Sequence, residues 1–164
     1  MKRMVNRMAN ITAKTSSNVF YRARCEAARH NEQLSSREGA ADIMSIDRGR
    51  IYRIESGIAN PYPEEIRLMA DLYNAPELEN YYCREICPLG SDVPKAEISD
   101  LDRISIRALS SFRKLEKTKE MLLDITEDGV IDESEIPALE NILENLDELE
   151  QVAQSLKIWV KKNL

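Results

Sequence analysis

From Leu139 to Val160 the apolar residues recur at alternating steps of three and four: Leu139, Ile142, Leu146, Leu149, Ala153, Leu156 and Val160. A repeat averaging 3.5 places all seven on one stripe of an α-helix, and a strand, with its period of two, cannot satisfy it. A long C-terminal helix with a stripe to cover is therefore predicted, opened by a capping box from Asp132 to Glu135. Ahead of it, Ser99 or Asp100 caps a second helix to about Asp124, with Leu101, Ile104, Ala108, Leu115 and Leu122 spaced by three, four or their multiples, and Gly129 breaks the run. Two such helices joined by a short turn form an antiparallel hairpin that cannot bury both faces alone. Pairing with a second copy into a four-helix bundle is the economical solution. Leu139, Ile142, Leu146, Leu149, Leu156 and Val160 are the predicted homodimer contacts.

The first half of the chain reads as several short helices. Asn18 to Asn31 carries a small stripe of Phe20, Ala23, Ala27 and Ala28, and Ser35 to Glu38 is a capping box opening a helix through Met44. Asp47 suits the N-cap of a helix from Arg48 to Ser56, which Gly57 stops. After the turn Asn60-Pro61-Tyr62-Pro63, a fourth helix runs from Pro63 to about Tyr73 and buries Ile66, Met69 and Leu72. Ala75 to Cys87 offers a short fifth helix. The fold class is therefore all-α: a head of four to five helices over 18–87, a linker over 88–98 rich in proline and glycine, and a helical hairpin over 99–164. Residues 1–17, with Lys2, Arg3, Arg7 and Lys14, read as a flexible basic arm, a minor-groove contact being the alternative.

The chain's net charge of −6 is unevenly spread. Residues 1–75 hold twelve Lys/Arg against nine Asp/Glu, net +3, whereas 76–164 hold eleven against twenty, net −9. Any contact with nucleic-acid phosphates must then come from the first half, and the acidic second half is free for a protein partner. No apolar run approaches a membrane span, and three cysteines without a secretory pattern point to the reducing cytoplasm. Enzyme readings lack parts: His30 is the single histidine, and neither a nucleophile with a base nor a phosphate-binding glycine loop is present. No cofactor is expected. Cys83 and Cys87, four apart, could share a helix face as thiolate ligands, but read more simply as small packing residues near Tyr81 and Tyr82. Asp124 to Glu135 places Thr126, Asp128, Gly129, Ile131, Asp132 and Glu135 as a calcium-binding loop would, and a helix stop followed by a capping box explains the same residues.

Two short helices at a tight turn, the second capped and rich in arginine, meet the geometric requirement for reading the major groove, which admits one α-helix. Ile51 and Ile54 form the predicted buried face of that second helix; Arg48, Arg50 and Arg53 lie away from it. The run from Ala41 to Gly57, ending Ile51-Tyr52-Arg53-Ile54-Glu55-Ser56-Gly57 with Asn60-Pro61 beyond, resembles the phage-repressor and Cro-like (XRE) family of helix-turn-helix regulators. The wider stretch from Arg37 through Gly90 is similar to members from Gram-positive bacteria and their mobile elements. The resemblance implies base-facing or DNA-contacting roles for Asp47, Arg48, Gly49, Arg50, Tyr52 and Arg53, a phosphate or flanking-base contact for Arg37, and a DNA-backbone contact for Ser56. It also implies a buried ion pair between Glu55 and an arginine of the first helix, Arg29 first and Arg24 as the alternative. Ser45, Gly39 and Leu34 depart from the family pattern; a left-handed Ser45 would cost about 1 kcal/mol.

Overall fold

A computed structural model describes residues 16–126 and 132–164, and every regular element among them is helical. The chain divides into a head, Met1–Ser91, and a second unit, Asp92–Leu164. None of the described helices is long and apolar enough to cross a membrane.

In the head, α1 (Val19–Ala27) starts where the Asn18 side chain accepts the Phe20 and Tyr21 amides, and it stops four residues earlier than its composition suggests. Asn31 then caps a 3₁₀ turn over Glu32–Ser35 that drives Leu34 into the core. Because Ser35 is used in that turn, α2 (Arg37–Met44) is capped one residue later than predicted, by the Ser36 hydroxyl accepting the Gly39 amide at 3.0 Å. The turn passes so close to α2 that a Cβ on Gly39 would lie 2.0 Å from the Gln33 carbonyl oxygen. Only glycine fits there.

Ser45 ends α2 with φ 54°, the left-handed conformation anticipated for it. Asp47 caps α3 (Arg48–Glu55), its carboxylate accepting the Arg50 amide at 2.9 Å. Gly57, φ 65°, reverses the chain into the proline turn, and α4 (Pro63–Leu72) and α5 (Glu77–Glu85) complete the head. Ile66, Met69 and Ala70 are the buried face of α4, with Leu72 only half-buried. Leu34, Ile51, Ile54, Met69 and Leu78 anchor the core, and Phe20 meets Tyr81 edge to face at 5.8 Å. Since α5 ends at Glu85, Cys87 lies beyond the helix; Cys83 is exposed and Cys87 half-buried, so neither shared-face ligands nor a buried packing pair describes them.

The second unit is a pair of helices, α6 (Leu101–Ile125) and α7 (Ile136–Asn163). Lys114 pairs with Glu148, Asn145 donates to Thr118 at 3.0 Å, and the Glu97 amide donates to Ser155. Residue numbers rise along one helix as they fall along the other, so the pair is antiparallel. The buried residues of α6 are Ile104, Ser111, Thr118 and Ile125, each seven after the last. Of the stripe predicted for α6, only Ile104 belongs to this seam. Leu101, Leu115 and Leu122 are exposed.

On α7, Ile142, Val152, Ser155 and Ile158 are buried, whereas Leu146, Leu156 and Val160 are exposed and Leu139 and Leu149 half-buried. Ile142 is thus committed within its own chain and is withdrawn from the predicted dimer contacts. Asp128, Gly129 and Ile131 of the calcium-loop reading, and most of the basic arm, lie outside the described residues. Among the described residues, no group of three His, Cys, Asp or Glu could hold a metal ion, and Asp132 accepts hydrogen bonds from the Ser134 amide and hydroxyl instead.

Candidate nucleic-acid interface

The α3 sequence divides into an inner and an outer face. Ile51, Ile54 and Glu55 point inward at 1 % exposure or less, and Arg48, Gly49, Tyr52 and Arg53 point outward. What holds α3 at this roll is a buried carboxylate shared by two arginines. Arg24 of α1 forks onto Glu55, Nε to Oε1 at 2.6 Å and Nη2 to Oε2 at 3.1 Å, and its Nη1 donates to the Leu34 carbonyl at 2.9 Å. Arg37, at the start of α2, donates to Glu55 Oε2 at 2.6 Å.

Glu55 therefore pairs with Arg24, and the preferred partner Arg29 is corrected: α1 ends at Ala27, so Arg29 falls in the turn, where it is exposed and bonded to Glu26. Burial lowers the affinity of the Arg24 guanidinium for its proton, but the bonds to Glu55 outweigh it, so the group stays charged. Glu55 is fully buried and answered by both arginines, and removing its carboxylate would strand the Arg24 guanidinium in the interior.

Arg50 is the second correction. Instead of facing outward for bases, its guanidinium forks onto Glu65 of α4, Nε to Oε1 at 2.8 Å and Nη2 to Oε2 at 2.7 Å, and donates to the Asn60 carbonyl at 2.8 Å. The Tyr62 ring lies beneath it at 4.6 Å. Glu65 also accepts the Tyr62 amide at 2.7 Å. Burial pushes the Glu65 carboxyl up, yet the bonds from Arg50 and Tyr62 prevail and hold it below the ordinary carboxylate range. Arg50 is a strut between α3 and the first turn of α4.

Two further assignments change. Ser56 is buried at 2 % exposure, which removes it from any surface contact. Arg37 is half-spent on Glu55 and stacks over the Tyr52 ring at 5.2 Å, leaving an edge of its guanidinium at the surface. The Asp47 carboxylate serves as the α3 cap, and a Cβ on Gly49 would touch it at 3.0 Å.

The outward groups that remain are Arg48, Gly49, Tyr52 and Arg53, with the edge of Arg37 beside them. The Arg48 side chain is 69 % exposed and reaches only to 3.9 Å from Glu38. Arg53 makes a single long bond, 3.4 Å, to the Gly49 carbonyl. Between the α2 and α3 starts lies an open cleft of about 520 Å³ whose walls include Ser36, Arg37, Arg48 and Tyr52. Two helix N-termini, capped by Ser36 and Asp47, border it. Chemically, the face combines two exposed guanidiniums, a phenol and free space for a convex polyanion.

The partners that sequence reading missed, Glu65 and Tyr62 for Arg50 and Glu55 for Arg37, sit 15, 12 and 18 residues away. The one available signal was an acid at the first turn of the helix opened by Pro63. No protein-family model matches the chain, and no curated protein or solved structure is significantly similar to it.

Proposed function

We propose that the chain is a cytoplasmic, sequence-specific DNA-binding regulator of transcription, a repressor in the simplest arrangement, acting as a homodimer on a palindromic operator. In this reading α2 and α3 form a helix-turn-helix, and α3 enters the major groove with Arg48, Tyr52 and Arg53 toward the base edges. The observation that carries it is the division of α3: isoleucines and a doubly paired glutamate lock one face to the core, while the opposite face holds arginines with no strong internal partner. Such a surface leaves cationic forks available to guanine or phosphate. The XRE resemblance supports the same assignment, with Arg50 removed from the base-facing positions and Ser56 from the DNA-backbone contacts.

One observation favours a second reading, a protein-interaction module such as an antitoxin or anti-repressor. Residues 16–91 hold nine arginines against twelve carboxylates, net −3, which weakens long-range attraction to DNA. Selection from random duplexes followed by gel shift separates the two. The regulator predicts an enriched palindrome, with Arg53→Ala and Arg48→Ala each costing about 1–3 kcal/mol of binding or lowering the salt slope by about one. Arg50→Ala should weaken binding through helix placement and leave the salt slope unchanged. Weak, sequence-indifferent binding that vanishes at moderate salt would reject the regulator in favour of the module.

A further inference from the structure

The hairpin hides one stripe of each helix and leaves a second apolar stripe bare. On α6, Leu101, Leu115 and Leu122 are 36–45 % exposed and Phe112 is 54 % exposed. Phe112 follows Ser111 by one position, Leu115 and Leu122 follow Ser111 and Thr118 by four, and Leu101 precedes Ile104 by three, which sets all four to the same side of the seam, about 40–100° around the helix axis. On α7, Leu146 follows Asn145 and Ile142 by the same steps, and Leu156 and Val160 continue it, at 39–42 % exposed. In antiparallel helices the same rotational offset brings both stripes to the same side of the pair. One side of the hairpin thus carries an apolar stripe on each helix, with Ser105 and Lys119 the polar residues among them on α6.

We infer that this face is covered by the same face of a second copy, with α6 of one protomer against α7 of its partner. The inference rests on the dimer reading above and specifies its arrangement. Area comes first. A helix of 25 residues is about 37 Å long, and two side by side present a face of about 700 Å². Two such faces bury about 1,400 Å², the size of a stable interface.

Charge then selects between the two ways of stacking. Residues 140–150 of α7 contain five acids and no base, while 113–119 of α6 contain four bases and one acid. The Lys114–Glu148 and Thr118–Asn145 pairs set these two runs at the same height. A two-fold axis perpendicular to the helices would stack α7 on α7, acid on acid, and α6 on α6. An axis parallel to the helices stacks the acidic run on the partner's basic run; neighbouring helices are antiparallel in either arrangement, so the charge pattern makes the choice. In that arrangement both α6 N-termini lie at one end of the bundle, so both chains leave toward their heads from the same end.

Sedimentation without DNA tests this apart from the regulator reading. The full chain should sediment at twice its 18.8 kDa, and Leu146→Asp should halve the mass with helix content intact. Cross-linking tests the arrangement in a background with Cys25, Cys83 and Cys87 replaced by serine. Chains carrying Leu115→Cys should form disulfides with chains carrying Leu146→Cys when the two are mixed, and neither alone should link. A monomeric wild type, an unchanged mass for Leu146→Asp, or dimers that link only like with like would overturn the inference.

Discussion

The head and the hairpin are built to different standards of completeness. Among the described residues, fourteen of the nineteen buried hydrophobic ones lie in the head, and fourteen of the twenty large exposed ones lie from Ile98 onward. Its internal charges are also answered inside the head: Glu55 by two arginines, Arg50 by Glu65. The hairpin, in contrast, seals its own seam with serine and threonine as often as with isoleucine on α6. A hairpin that exposes more leucine than it hides carries the surface that, in the proposed dimer, a second copy covers.

The largest effect should come from breaking the head's charge cluster. Glu55→Ala strands Arg24 in the interior and should lower the head's stability by about 3–5 kcal/mol, while the hairpin keeps its helix content. Two-phase thermal unfolding by circular dichroism would display this; a cooperative loss of both units would refute their independence. Within the hairpin, adjacent residues should answer differently. Ile142→Ala, at 2 % exposure, should cost about 2–4 kcal/mol, whereas Leu143→Ala, at 53 %, should cost under about 0.5 kcal/mol in a chain held monomeric by Leu146→Asp. Equal costs would mean that the seam is misassigned.

A smaller effect tests the strut. Glu65→Gln should lower the head's stability by about 1–2 kcal/mol at neutral pH. Because folding depresses the Glu65 value, the contribution is full above about pH 4.3, the ordinary glutamate value, and is lost as pH falls through the lower folded one. Wild type and variant should therefore converge in acid. A gap that persists at low pH would show that the carboxylate's charge is not what holds Arg50.

The helices and their starts were legible from sequence where one residue decides: Asp47, Pro63, and Gly57 after α3. What was not legible depends on segments meeting from a distance. Arg24 and Arg29 both lie in the stretch read as one helix, and the choice between them turns on where α1 stops. That is decided by Asn31 capping a 3₁₀ turn, which carries no helical period. Arg50 reads as a free cation because Glu65 lies across a proline turn whose path local pattern cannot trace. The heptad of α7 marks an apolar stripe, but 3.5 periodicity alone does not separate the residues facing α6 from those one step around.

The Asn145–Thr118 bond has a consequence for motion. Helices that meet through uniform aliphatic layers can slip by a turn at little cost, since each layer resembles the next. Sliding α7 one turn along α6 would pull the Asn145 amide away from the Thr118 hydroxyl and break the bond between the helices, leaving each group only its partner within its own helix, Asn141 and the Lys114 carbonyl. The pair acts as a detent. Any signal that passes along this hairpin would then be carried by the helices parting or rolling, and not by one ratcheting past the other.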